Sequence, residues 1–313
     1  MTVALESAAV DSPPSLAEAE LWLGAPAPGG LALPSATPSA STLYAPRGVY
    51  LSDDLLAVAD SGNHRILIWR GVPEGDHTAA DLVLGQPNAE SEGPAAAGRG
   101  PENGFHLPTG ILVHQGRLFV ADAWHHRILV WDRFPERSDE PPSWALGQEN
   151  LSSVTPNRGR SNESNGPNAA NAPVGADGLY WPYGIGIVDD VFYVTDTGNR
   201  RVLVWEGVPT EDRPADAVLG QPDFVSSDEN RGAEPGPRSF RWPHAVAGAD
   251  GILWVADAGD HRVLGWQGSP FLAHSDRDAD LALGQHDLTS ASEFPYAPQS
   301  ATTLRFPYGL ATD

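Results

Sequence analysis

The stretch Ala121–Trp131, ADAWHHRILVW, sets Asp122, Trp124, His125, His126 and Arg127 in one short run. A carboxylate beside imidazoles is the material of acid–base catalysis or of a metal site. A second set of candidates follows a recurring proline: Arg47, Thr109, Tyr183, His244 and Tyr308. One guanidinium, one hydroxyl, two phenols and one imidazole can together bind a polar or anionic ligand. Whether either set acts depends on the elements that carry it.

Those elements repeat. LAVADSGNHRILIW (56–69), LFVADAWHHRILVW (118–131), FYVTDTGNRRVLVW (192–205) and LWVADAGDHRVLGW (253–266) align, each preceded by a Pro-led segment and followed by a run around LGQ. The aspartates fall at 60, 122, 196 and 257, so the period is 62, 74 and 61 residues. From the LGQ glutamine to the next motif proline is 22 residues in three copies and 34 between Gln148 and Pro182, which places a 12-residue polar loop insertion there. Each copy holds four short β-type runs, a to d. Runs b and c are apolar at successive positions, as in strands covered on both faces. Four-stranded antiparallel sheets packed face to face satisfy that requirement, and the expected fold is an all-β propeller.

The motifs Pro108–Ile111, Val58–Asp60 and Asn63–Ile66 resemble NHL-repeat propellers, and the LGQPDF of Leu219–Phe224 resembles long-period bacterial members of that group. The resemblance covers residues 21–313, leaving 1–20 as a flexible tail. LWLGAPAP near residue 21 matches run d and LRFPYGLATD at the end matches run a. The expectation is four complete blades and a split or incomplete fifth, in a fragment or an atypically closed ring; about 30 more residues would complete it.

Repetition sorts the residues. Asp60, Asp122, Asp196 and Asp257 recur with Arg65, Arg127, Arg201 and Arg262 five residues later, and read as ion pairs bracing each b–c turn. Gln86, Gln148, Gln221 and Gln285 read as hydrogen-bond braces, and Trp69, Trp131, Trp205 and Trp266 as packing residues. His64, His126 and His261 share one station with Arg200 and read as structural. Two features vary on the face where b–c and d–a connections emerge together: the residue after the motif proline, and the b–c turn. That turn carries Gly62, Gly198 and Gly259 but Trp124 in the second copy, followed by His125. Glycine there suits a positive φ, which would strain a tryptophan.

Composition narrows the function. A net charge of −22 argues against nucleic acid and against an anionic membrane. The chain has no cysteine, and all 19 basic residues are arginine, which removes thiolate sites, Schiff-base lysines and P-loops. With no signal-like N-terminus, a cytoplasmic location is expected. The reading is a binding propeller that holds a protein, peptide or small polar ligand on the long-loop face at the channel mouth. Its ligand contacts would come from Arg47, Thr109, Tyr183, His244, Tyr308, Trp124 and His125. The alternative is a propeller lyase or hydrolase at the same mouth, with Zn²⁺ or Ca²⁺ as cofactor or with His244 as base. A structural assembly module is the third reading.

Overall fold

The computed structural model describes residues 21–24, 37–159, 174–268, 277–293 and 300–312. The tail assigned to residues 1–20 and most of the polar insertion lie outside the described residues. Among the described residues, sixteen strands form four antiparallel sheets of four. The first blade holds β1 (Gly48–Ser52), β2 (Leu55–Asp60), β3 (Arg65–Arg70) and β4 (Leu82–Leu84). The second holds β5 (Pro108–His114), β6 (Arg117–Asp122), β7 (Arg127–Trp131) and β8 (Trp144–Leu146). The third holds β9 (Pro182–Val188), β10 (Val191–Asp196), β11 (Arg201–Glu206) and β12 (Ala217–Leu219). The fourth holds β13 (Pro243–Ala249), β14 (Ile252–Asp257), β15 (Arg262–Gln267) and β16 (Leu281–Leu283). In every blade the strands lie in chain order, so the architecture is the expected propeller of four complete blades.

The unbroken apolar runs have a direct cause: the second and third sheets are covered on both faces by neighbouring blades, while the first and fourth have a neighbouring blade on one face, and Leu23 and Leu43 pack on the other face of the first. One apolar cluster joins the first two blades through Ile66, Leu84, Val120 and Leu129. A second joins blades two and three through Phe119, Ile128, Phe192 and Leu203. A third joins blades three and four through Tyr193, Val204, Val255 and Leu264. The strand-c tryptophans pack here and donate their indole N–H to the c–d loop: Trp69 to Thr78 O, Trp131 to Glu140 O and Trp205 to Arg213 O, at 3.0–3.1 Å.

The innermost strands run against one another, β1 on β5, β5 on β9 and β9 on β13. Glycine makes that approach possible. A Cβ on Gly48 would lie 1.7 Å from Thr109 O, on Gly110 2.5 Å from Tyr183 O, and on Gly184 2.6 Å from His244 O. Each is a main-chain oxygen that cannot swing aside, so the glycine of the Pro-x-Gly motif is required by space.

No fifth sheet forms among the described residues. Residues 21–24 form no strand, and Gly24 makes a lone parallel bridge to Thr42. Residues 300–312 form no paired strand, yet Phe306 N donates to His261 Nδ1 at 3.2 Å. That bond is the one Leu107 N makes to His64 Nδ1 (3.0 Å) and Trp181 N to His126 Nδ1 (3.2 Å). The trailing segment therefore docks where the innermost strand of a fifth blade begins.

Candidate functional site

The site is assembled from three repeated devices. The first is a buried ion pair. Arg65, Arg127, Arg201 and Arg262 meet Asp60, Asp122, Asp196 and Asp257 at 2.7, 2.8, 2.7 and 3.2 Å, with both side chains fully buried. Each guanidinium also donates to carbonyls of the long loops on either side of its blade, as Arg201 does to Phe224 O, Gly175 O and Gly178 O. The other carboxylate oxygen takes the main-chain N–H of Tyr44, His106, Tyr180 or Arg241. These carboxylates are used up in holding the face together, which is the bracing role their repetition implied. The glutamines complete the brace; Gln86, for example, donates to Asn63 O at 3.1 Å and Gly93 O at 2.8 Å.

The second device is the b–c turn, a single 3-10 turn closed by a left-handed residue. The left-handed position falls on His64, His126, Arg200 and His261, with φ of 54–58°. Gly62, Gly198 and Gly259 do not have positive φ, which corrects the expectation drawn from them. They are small because a Cβ would strike Tyr44 O (2.6 Å), Tyr180 O (2.5 Å) or the Arg241 side chain (2.8 Å). In the second blade that neighbour is His106, whose ring lies 5.2 Å from that of Trp124, so Trp124 fits without strain. The histidines at the left-handed position serve as the inter-blade acceptors named above. Burial pushes His64 and His126 down to about 4 and lowers His261, so Nδ1 stays free to accept.

The third device is a bulge at the start of the innermost strand. Pro243 faces Asp257 but Ala245 faces Ala256, which leaves His244 as the extra residue. Tyr183 and Thr109 sit in the corresponding shifts of β9 and β5. A bulge re-aims the side chain it carries, here toward the trailing segment that carries Tyr308.

There the structure brings together Tyr183, His244 and Tyr308, whose rings meet edge to face at 4.5 and 4.7 Å. Arg47 Nη1 donates to Tyr183 Oη at 3.3 Å. Tyr183, His244 and Tyr308, with Tyr180, Trp181, Trp242, Thr197 and Arg200, line a cavity of about 250 Å³. His244 Nδ1 lies 2.8 Å from Trp242 O, so it carries the proton and leaves Nε2 as an acceptor. Burial lowers His244 to about 4, with Arg47 adding to the effect. A base that weak suits accepting a hydrogen bond better than abstracting a proton at neutral pH. Burial raises Tyr183, whose hydroxyl remains a donor. Arg200 and Arg47 make no ion pair among the described residues, and Arg200 Nε is buried without a partner.

Three expected contact residues lie apart from this cavity. Thr109 is 2% exposed and its hydroxyl donates to Tyr183 O at 2.9 Å. His125 is buried with Nδ1 2.9 Å from Asp122 Oδ2, the place taken by Asn63 and Asn199 in their blades. Trp124 is 44% exposed and stacks on Trp181 at 5.6 Å with planes 25° apart, extending the aromatic surface outward from the cavity. Tyr180, Trp181, Trp242 and Arg200 were missed. The two residues before the motif proline vary between blades as the residue after it does, and that signal would have found the first three. Among the described residues no three His, Asp or Glu side chains are grouped to hold a metal ion. No described helix is long and apolar enough to cross a membrane.

Comparison with known proteins agrees with the repeat pattern. The NHL repeat model matches residues 43–69. The chain is 29% identical over 174 residues to human NHL repeat-containing protein 2, and 28% over 173 residues to the bovine protein of that name. Each match covers 52% of this chain and 20% of the relative, so the chain corresponds to about a fifth of the length of these relatives. Among solved structures, a chain of a nidogen/laminin complex superposes with a TM-score of 0.42 at 17% identity, covering 79% of this chain and 66% of that one. The blades and motifs define an NHL-type β-propeller, a fold that serves binding or scaffolding in general. Residues 43–69 carry an NHL repeat, and the chain is similar to NHL repeat-containing proteins.

Proposed function

We propose that this chain is a non-enzymatic binding propeller that holds a peptide or small polar ligand with an anionic group at its axial cavity. It belongs on this reading with the long-period NHL proteins, acts in the cytoplasm, and uses residues 21–313 as one propeller behind a short tail. One observation carries the reading: in a chain of net charge −22, the cavity is lined by aromatic rings and by Arg200, with Arg47 at its rim, and by no carboxylate. Guanidinium groups without carboxylate partners favour an anion. Tyr183 Oη offers a donor and His244 Nε2 an acceptor beside them, enough to orient a ligand that carries both kinds of group. A cavity of about 250 Å³ lies at the small end of ligand sites, and suits one residue or a small metabolite.

The test is a panel of short peptides and small carboxylates, titrated by calorimetry against the parent chain and against Arg47→Ala and His244→Ala. Ligands of the axial cavity lose roughly tenfold or more in affinity in Arg47→Ala. Ligands that bind both variants as they bind the parent would place recognition elsewhere and sink the proposal.

A further inference from the structure

The aromatic surface continues outward past the axial cavity, from Trp242 and Trp181 to the stacked Trp124. Its indole nitrogens differ from those of the strand-c tryptophans. The core tryptophans Trp69, Trp131 and Trp205 each donate to a carbonyl. Trp124, Trp181 and Trp242 have no acceptor among the described residues, and Trp124 and Trp242 are exposed. The Arg241 guanidinium lies 5.2 Å over the Trp242 ring, adding a cation to the same strip. Glu229 and Glu293 near this face are taken by Arg241 at 2.8 Å and Arg305 at 2.5 Å. The surface is therefore aromatic, rich in hydrogen-bond donors and poor in free acceptors.

We infer that this strip docks a proline-rich segment of a partner protein, with acidic residues of that segment reaching Arg47 and Arg200. The inference rests on the binding reading of the axial cavity and names the partner's chemistry. A polyproline II segment has no internal hydrogen bonds, so its carbonyls are unpaired acceptors, and its prolines have no N–H to satisfy. That inventory complements free indole donors on a surface with few acceptors. Pyrrolidine rings also pack on aromatic faces, as in known grooves for such segments. A sugar chain would present as many hydroxyl donors as acceptors and leave the donors unpaired here. A basic segment would meet uncompensated arginines.

The experiment uses the full chain and four probes: a blocked peptide of three Glu-Pro-Pro repeats, its Pro→Ala counterpart, its Glu→Lys counterpart, and a linear β-linked glucose oligosaccharide. Binding is read by tryptophan fluorescence and by calorimetry. Trp124→Gly installs the residue that the other three blades have at this station, so its fold is expected to hold, and an unchanged thermal midpoint checks that. The Glu-Pro-Pro peptide saturates the parent chain, and Trp124→Gly and Trp242→Ala each weaken it by roughly three- to tenfold. The Pro→Ala and Glu→Lys peptides bind at least as much more weakly. Equal binding of the Pro→Ala peptide, no effect of Trp124→Gly, or saturation by the oligosaccharide alone would overturn the inference. A small carboxylate that depends on Arg47 while the Glu-Pro-Pro peptide fails to bind overturns this inference and leaves the axial-cavity reading standing. Loss of Arg47 and His244 dependence for every ligand removes that reading as well.

Discussion

Replacing His126 with asparagine tests the inter-blade latch and its pH dependence together. His126 is 8% exposed, sits at φ 58°, and accepts the Trp181 N–H at Nδ1, 3.2 Å away. Burial is the main force lowering it to about 4, opposed by Asp122 and by its bond to Ala123, and assisted by His125 and His106. The unfolded chain titrates near 6.5. Between those values the unfolded chain binds a proton that the folded one refuses, so the contribution of His126 is complete above pH 6.5 and is lost as pH falls toward 4. A gap of that size corresponds to about 3 kcal/mol. Asparagine adopts the left-handed conformation readily and does not titrate. At about pH 8 the variant lacks only the hydrogen bond and is less stable by about 1 kcal/mol. By about pH 4 the order reverses and the variant is the more stable by roughly 2 kcal/mol, the difference of those two figures. Urea unfolding of both proteins across this range measures the difference directly. A difference that does not change with pH would refute the assignment of Nδ1 as a buried, unprotonated acceptor.

Two further perturbations address the scaffold. Asp260 stands where the first and third blades have Asn63 and Asn199, and with burial it raises the carboxyl of Asp257. Asp260→Asn removes the like charge, and a gain of about 1 kcal/mol at neutral pH is expected. Because burial and Asp260 raise the Asp257 carboxyl, parental stability declines as pH rises above about 4, and the variant's declines less. Thermal melts near pH 4 and pH 7 that show no gain at the higher pH would contradict this. Gly110→Ala puts a Cβ against Tyr183 O and is expected to cost about 2 kcal/mol or more. Gly75→Ala, with open space around it, serves as the control, and equal denaturation midpoints for the two would show that the inner strands are not in tight contact.

Much of the fold was legible because it repeats. The Asp–Arg spacing of five residues appears as the register pair at the b–c turn, Asp60 opposite Arg65 and likewise in each blade. The apolar runs followed from burial on both faces. Three parts of the site were not legible. A bulge depends on pairing between strands, so no local pattern announced that Thr109, unlike Tyr183 and His244, would bond to the main chain of the next blade. The turn glycines looked like left-handed positions, whereas the left-handed residue is the histidine or arginine two places on. Space beside Tyr44 and Tyr180, set by residues some 18 positions earlier in each blade, was the real constraint. The histidines read as structural, but their role as hydrogen-bond acceptors was not legible. Their partners are main-chain N–H groups of the next blade, more than 40 residues away.

The central claim is that recognition takes place on the aromatic strip and axial cavity of the b–c face. The most direct measurement is to follow the indole N–H resonances of the chain by nuclear magnetic resonance during titration with a pool of short acidic and neutral peptides. The account predicts that the signals of Trp124, Trp181 and Trp242, which have no acceptor among the described residues, shift on binding. Those of Trp69, Trp131 and Trp205, each bonded to a carbonyl of its own blade, should stay in place. Peptides that shift only the second group, or that bind without moving the first, would contradict it.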